Sequence, residues 1–474
     1  MLKNKLVIKF FSSGLQAIAV QVLSSIFFYY ISIYLTKDNF GAISWMNAVC
    51  LFITTLLGFG LEQVVIRRIA ASQRSDWAAT AFLAHSVAGF LLTVLILLIL
   101  NSVIKNTAIV YRLLPWFFIA QGLMYIGIPL KQFLNAKEKF TPYGIIAVTS
   151  NIGKIAAAYA LLQNNRLDIY TVIIILICAA AFELCGLLYY VIATTTFSFK
   201  IHFKAYLKLL KESSAQYLSV IFDMSLSRID WILLGIMTTN MVLADYSFAY
   251  RAYELAKLPV IIIGPIILPR LARYMLAGNK PGAELQQHIN SFYTIELFFA
   301  MLIPLSLNIL WAPLLMLITN GKYGESNALQ FLMLSLGIPL QFIINLLWSI
   351  SFSAKKYKSV TSITIICAVT NIILNLVLIS KFNGLGASVA FFTTNLLQGI
   401  LYYRLVGKHI MVVPLRPVLL FGLTAIAAYF IAINLPVNYL LQMLAAIGLY
   451  LVAALLLRLV NKQHFYDFKM FLSK

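Results

Sequence analysis

Apolar runs of about 20 residues, each long enough to cross the hydrocarbon of a bilayer as a helix, recur from one end of the 474-residue chain to the other. They fall near 10–35, 40–60, 78–100, 112–134, 143–163 and 171–193, then near 214–237, 245–268, 290–312, 328–353, 359–380 and 385–403, and last near 415–434 and 438–458. Short polar segments separate them. The pattern predicts an all-α polytopic membrane protein with about fourteen transmembrane helices.

The charges in the connections give the runs a direction. Every second connection is rich in Lys and Arg: Lys3/Lys5/Lys9, Arg67/Arg68/Arg74, Lys131/Lys137/Lys139, Lys200/Lys204/Lys208/Lys211, Arg270/Arg273/Lys280, Lys355/Lys356/Lys358, Arg404/Lys408/Arg416 and Arg458/Lys462/Lys469/Lys474. Those positions hold 26 of the 36 basic residues, whereas the alternate connections hold only Lys37, Lys105, Arg112, Arg166, Lys322 and Lys381. Short loops with this bias stay on the cytoplasmic side during insertion, so both termini are expected to be cytoplasmic and the number of spans even. The N-terminal basic residues precede an apolar run that reaches Leu35 without a small-residue cleavage site, which predicts a retained first span.

Two features suggest a joint after the sixth span. In 194–213, Lys200, Lys204, Lys208 and Lys211 recur at helical spacing while Phe203, Leu207 and Leu210 take another face. That is the pattern of an amphipathic helix on the membrane surface, and equally of an ordinary positive-inside loop. Weak internal similarity also relates the two sides of this segment. Thr36–Ser44 resembles Thr239–Ser247, and Ala136–Lys139 before Ser150-Asn151 resembles Ala354–Lys356 before Thr370-Asn371. The expected organisation is an N-lobe (1–193), a cytoplasmic linker (194–213), a C-lobe (214–404) and two extra spans with a tail (405–474). Six spans per half would make the halves a parallel repeat, with a substrate site at their interface.

Composition narrows the class. The chain is 62% hydrophobic and 11% charged, with a mean hydropathy of +0.91. The net charge of +21 sits in small clusters at membrane edges, where it meets anionic lipid headgroups and not nucleic acid. Cys50, Cys178, Cys185 and Cys367 lie in apolar runs without metal-ligand spacing or a disulfide framework. No G-x-x-x-x-G-K-[ST] loop is present, so ATP is not the direct driver, and no cofactor is expected. The five histidines are scattered, and His85, alone near a helix interior, reads as structural. The alternate-side connections are too short for a catalytic domain, so the chain is not expected to be an enzyme.

Several short motifs, in order, resemble bacterial polysaccharide-transport flippases: Phe40-Gly41, Gly58-Phe59-Gly60-Leu61 and Arg67-Arg68-Ile69-Ala70, then Arg228-Ile229-Asp230 and Leu234-Gly235. Asp245–Arg251, Ile263–Leu271, Gly321–Ser326 and Gly384–Ser388 continue the series, so the resemblance covers roughly residues 1–460. It implies a member of the multidrug/oligosaccharidyl-lipid/polysaccharide exporter superfamily, with two six-helix lobes in a V-shape opening alternately to the two sides. The implied cargo is an O-antigen-like oligosaccharide repeat unit on undecaprenyl pyrophosphate, moved across the bacterial inner membrane. Protons or sodium are the implied coupling ion, and polysaccharide polymerase machinery the implied neighbour. Unlike the lipid II flippase pattern, the first span carries no charge between Lys9 and Lys37, so a cationic first-helix contact does not carry over. A drug/cation antiporter of the same superfamily is the alternative.

Charges inside a bilayer are costly, and each is a functional candidate. Lys154, Arg228, Arg251 and Lys257 are the candidate substrate cations, Arg in particular being able to hold phosphate bidentately. Glu183, Asp223, Asp230 and Glu254 are the candidate ion-coupling acids, and Glu296 is a further intramembrane carboxyl. Depth along the helices suggests a competing arrangement. Arg228 and Glu254 both lie about 13 Å from the helix ends, Asp230 and Arg251 about 10 Å, and Asp223 and Lys257 about 20 Å. These could form three cross-helix ion pairs, with Lys154–Glu183 a fourth. Polar stripes (Ser13/Gln16/Ser24 and Asn371/Asn375) suit sugar hydroxyls but suit helix packing better. Pro259, Pro265 and Pro269 are expected to kink the eighth span.

Overall fold

The computed structural model describes residues 2–71, 76–103, 108–195, 197, 199–200, 202–275 and 282–473. Arg74, Lys105, Lys280 and Lys474, and the side chains of Lys3, Lys5, Lys9, Ser13, Pro265, Pro269 and Arg273, lie outside this description. The described residues form helices without strands. They are α1 (Leu2–Tyr34), α2 (Lys37–Gly58), α3 (Leu61–Ala71), α4 (Asp76–Val103), α5 (Ile109–Ala136), α6 (Phe140–Gln163), α7 (Ile169–Thr194) and α8 (Phe203–Met237). The series continues with α9 (Asn240–Ala256), α10 (Leu258–Met275), α11 (Ala283–Ile318), α12 (Ala328–Ser353), α13 (Tyr357–His409), α14 (Arg416–Ile433), α15 (Tyr439–Leu456) and α16 (Lys462–Ser473).

Among the described residues, 10 helices are long and apolar enough to cross a membrane, and the 53-residue α13 covers two of the expected spans. Helices α1, α8, α9 and α10 occupy further expected positions but do not reach that criterion as described. For α8 the cause is its charge, with Asp223, Arg228 and Asp230 inside one segment.

Local chemistry explains the ends and breaks. Thr36 Oγ1 caps α2 by accepting from Asn39 N at 3.2 Å, and Asp168 and Thr171 form a reciprocal capping box at α7. The expected eighth span is interrupted at Lys257, between α9 and α10 and two residues before Pro259. Proline lacks an N–H and disfavours helical geometry in the residue before it. α13 bends at Asn383 (φ 50°, ψ −131°). There the chain folds so tightly that a Cβ on Gly386 would lie 2.1 Å from Leu378 O.

The chain forms two compact units, Met1–Ala244 and Asp245–Lys474. In the first, α8 packs against α2, α3 and α4. A Cβ on Gly41 would lie 1.9 Å from Asn240 O, and one on Gly235 would lie 1.8 Å from the Trp45 ring. Trp45 Nε1 meanwhile donates to Ile232 O at 3.2 Å. Two of the resemblance motifs therefore mark where helices approach too closely for a side chain. At the basic end of this unit a buried core joins Val65 and Ile69 of α3, Phe82 of α4, Leu130 and Phe133 of α5, Leu187 of α7 and Leu209 of α8. In the second unit, α12 packs on α13, and α11 is surrounded by α12, α14, α15 and α16.

The linker pattern takes up the first turns of a longer helix. Residues 203–213 are helical but run unbroken into the seventh span as α8. Leu210, assigned by spacing to a membrane-facing stripe with Phe203 and Leu207, instead packs on the buried core beside Tyr206 and Leu209. Positions 206, 209, 210 and 213 form one helical face, and that face turns inward. Phe203 (66% exposed) and Leu207 (49%) remain outside.

Candidate functional site

Within the first unit, Glu183 on α7 is 4% exposed, and it ion-pairs with Lys131 of α5 at 2.6 Å, not with Lys154 as its depth suggested. Lys131 Nζ also sits 5.1 Å from the Tyr143 ring centre. Loop charge alone places Lys131 in a basic connection. α5 instead runs on to Ala136, which leaves Lys131 more than a turn inside the helix, its side chain 14% exposed. Lys154 on α6 lies over the ring of Phe27 on α1, 5.7 Å from its centre. The two candidates of the fifth and sixth spans thus have different surroundings.

Around the Lys131–Glu183 pair lies a polar belt at the basic-loop end. Gln132 Nε2 donates to Glu62 Oε2 at 2.9 Å and Asn135 Nδ2 to Gln132 Oε1 at 3.0 Å. Glu62 lies just beyond α2, where burial, its largest influence, raises its carboxyl above the usual range against the opposing pull of Gln132 and Lys131. Lys137 pairs with Asp76 at 3.1 Å. Arg68 holds Glu212 through two guanidinium nitrogens, Nε donating to Oε2 at 3.1 Å. His85 Nε2 lies 2.6 Å from Leu57 O and Nδ1 2.7 Å from Tyr206 OH. A carbonyl only accepts, so Nε2–H donates to it; in the neutral tautomer Nδ1 then accepts from the tyrosine. His85 fits the structural reading and ties α4 to the start of α8.

The charges of the seventh and eighth spans divide between the units. On α8, Asp230 is 2% exposed and its Oδ1 accepts from Trp231 N at 2.9 Å. The Arg228 guanidinium lies 4.9 Å from the Trp231 ring centre, and Asp223 is exposed on its helix. In the second unit, Arg251 ion-pairs with Glu254 one turn on at 2.9 Å, and Lys257 Nζ lies 4.8 Å from the Tyr253 ring centre at the α9–α10 break. Each of the three expected cross-helix pairs joins a residue of one unit to a residue of the other. Glu296 on α11 is 5% exposed, and neither carboxylate oxygen has a hydrogen-bond partner among the described residues.

Gln16, Asn371 and Asn375 of the polar stripes hydrogen-bond to neighbouring groups of the protein. Asn371 Nδ2 donates to Thr394 Oγ1 at 3.2 Å across the α13 bend, and Asn375 Nδ2 donates to Asn371 O at 2.9 Å. The Gln16 amide joins α1 to the start of α6, donating to Phe140 O at 3.1 Å and accepting from Gly144 N at 2.7 Å. The Gly321–Ser326 motif is likewise a joint. Tyr323 stacks on Phe248 with centres 4.0 Å apart, and Ser326 Oγ donates to Asp245 Oδ1 at 2.8 Å.

A family model described as "Polysaccharide biosynthesis protein" matches residues 6–275, more than half of the chain. The chain belongs to this family. All eight candidate residues, from Lys154 to Lys257, lie in the matched segment, whereas Glu296 and α11–α16 lie beyond it. No curated protein matches the chain. Among solved structures, the family member is similar to lipid II flippase MurJ in an inward closed conformation, with a TM-score of 0.75 and 16% identity over 94% of this chain and 99% of that one. It is also similar to an inward-facing multidrug resistance MATE transporter of the MOP superfamily (TM-score 0.64, 12% identity, 84% and 94% covered). The Vibrio cholerae MATE transporter VcmN gives a TM-score of 0.60 at 15% identity, with 86% and 98% covered. At such identities the likeness establishes the fold, that of flippases and transporters, and the fold alone.

Proposed function

We propose that the protein is a flippase that moves an undecaprenyl-pyrophosphate-linked oligosaccharide repeat unit from the cytoplasmic to the periplasmic leaflet by alternating access. The match of residues 6–275 to a polysaccharide biosynthesis family carries this reading, and the fold likeness agrees with it. The substrate pairs a charged, sugar-bearing headgroup with a long apolar tail, so the protein must shelter the first while the second stays in hydrocarbon.

Arg228 and Lys154 are the preferred phosphate contacts. Lys154 lies over the Phe27 ring and the Arg228 guanidinium over the Trp231 ring, and the guanidinium fork of Arg228 suits paired phosphate oxygens. Arg251 and Lys257 are secondary contacts. Asp223 is the preferred coupling acid, with Asp230, Glu183 and Glu254 as alternates, for protons or sodium. Surface polysaccharide synthesis is the process served, with both termini cytoplasmic in a bacterial inner membrane.

The deciding experiment uses membrane vesicles and a labelled repeat unit. The labelled headgroup should reach the outer leaflet only when the protein is present, and equal appearance without it would reject the proposal. A drug/cation antiporter is the second reading, supported by the MATE-like fold. It predicts resistance to organic cations on expression and no movement of lipid-linked sugar.

A further inference from the structure

The second unit contains a cavity of about 930 Å³ at the end that carries the basic connections. Gln286 and Asn290 of α11, Arg416 at the start of α14, Arg458 just past α15 and His464 of α16 line it. None of these is an intramembrane candidate of the proposed transport path, so a role for the cavity stands independently of the flippase reading.

Three observations give the cavity a chemistry. First, Arg416 and Arg458 are both exposed, and neither forms an ion pair with a described residue. The nearby acid does not neutralise them. Asp467 is 2% exposed, and its oxygens accept from Ser291 Oγ at 2.9 Å, Gln287 Nε2 at 3.1 Å and Gln463 Nε2 at 2.7 Å. It pins α16 to α11. Second, α14 begins here with a proline in its first turn and no side-chain cap at Leu415, which leaves the positive end of the helix open at the cavity wall. His464 adds a donor: Asn461 N donates to its Nδ1 at 3.3 Å, so Nε2 carries the hydrogen in the neutral ring. Third, the helices beside the arginines expose leucines on their outer faces. Leu419 and Leu423 on α14 are each 63% exposed, and Leu455 and Leu456 on α15 are 68% and 78% exposed.

A cationic, donor-rich hollow at the end of a span, flanked by lipid-facing leucines, matches a phosphodiester with attached acyl chains better than a soluble anion. We propose that this cavity binds the phosphate headgroup of an anionic membrane lipid, with Arg416 and Arg458 as the phosphate ligands. The guanidinium fork suits paired phosphate oxygens. Asn290 Oδ1, buried without a hydrogen-bond partner among the described residues, is placed to accept from a headgroup hydroxyl. The two C-terminal spans would then be a lipid-anchored appendage as well as a pair of crossings.

The test uses the full-length protein in nanodiscs of phosphatidylglycerol and phosphatidylcholine, extracted into detergent, with retained phosphatidylglycerol counted by native mass spectrometry. Wild type should retain the anionic lipid in preference to phosphatidylcholine, and Arg416→Gln with Arg458→Gln should lower retention roughly tenfold or more. The control Lys355→Gln with Lys356→Gln, on a basic connection away from the cavity, should leave retention unchanged. Wild-type retention by the arginine double variant would overturn the proposal. So would an equal loss in the lysine control, since attraction would then be general. Inorganic phosphate alone, if it raises the thermal midpoint as much as the lipid does, would reassign the site to a soluble anion and overturn the lipid assignment. Should the glutamine double variant fail to accumulate, Arg416→Lys with Arg458→Lys keeps the charge and removes the forks. Reduced retention in that protein supports the proposal, and undiminished retention counts against it.

Discussion

Breaking the Lys131–Glu183 pair should be costly one residue at a time and nearly harmless when both partners are replaced together. The groups are 2.6 Å apart, with side-chain exposures of 14% and 5%. Glu183→Leu would strand an ammonium in a site that Tyr143 only partly compensates. Removing one partner of a buried pair typically costs about 3–5 kcal/mol, whereas an apolar replacement of both is about neutral, or stabilising by about 1–4 kcal/mol. Lys131→Met and Glu183→Leu should therefore each lower folded abundance and the detergent unfolding midpoint sharply. Lys131→Met with Glu183→Leu should recover both, giving a coupling energy of about 3 kcal/mol or more in a double-mutant cycle. Single variants within about 1 kcal/mol of wild type, or a double variant as unstable as the sum of its parts, would refute the reasoning. Export measured on the same proteins then separates scaffold from machinery. A stable double variant that transports makes the pair structural, and a stable one that does not returns Glu183 to the coupling acids.

Other expectations are quicker to check. Arg228→Ala should abolish export while leaving insertion and abundance intact, and Arg228→Lys should recover only part, because a point charge does not replace the planar fork; wild-type export by Arg228→Ala would remove it from the site. Gly41→Leu should destabilise the first unit by about 1–3 kcal/mol or more through overpacking, since even a Cβ there would lie 1.9 Å from Asn240 O. Gly153→Ala, with nothing within 4 Å, is the tolerated comparison in thermal unfolding. Hydrogen bonding from Arg68 holds the Glu212 carboxyl below its usual range, so its contribution is present above the unfolded value of about 4.3 and is lost as pH falls through the lower folded value. Hydrogen-exchange protection at the start of α8, measured relative to the intrinsic rate at each pH, should fall on acidification in wild type and depend less on pH in Arg68→Gln, modestly because the pair is partly exposed.

The helices were legible because an apolar run of membrane length has few alternatives. The break at Lys257 was announced by Pro259, whereas Gly41 and Gly235 entered only as motifs of the resemblance and their close approaches show only in the packed helices. The polar belt was not legible. Positive-inside bias absorbs Lys131 into a loop count, and nothing in one sequence tells a lysine at a helix end from one a turn further in. Only the apolar character of Leu130, Phe133 and Leu134 around it hinted that the helix continued. Partner choice was harder still. Depth along a helix fixes height but not azimuth, which is why Lys154 was matched to Glu183 although the packing of α5 on α7 brings Lys131 to it.

Because α8 is a single rod from Phe203 to Met237, its two ends share one rotational phase. Tyr206, held by His85, and Arg228 stand 22 positions apart, about 33 Å along the axis. One residue inserted between them would turn Arg228 by about 100° while the anchored end stayed put. One inserted ahead of Phe203 would leave its azimuth untouched. Evolution can therefore lengthen or shorten the approach to this helix at little cost, but within it must count in whole turns.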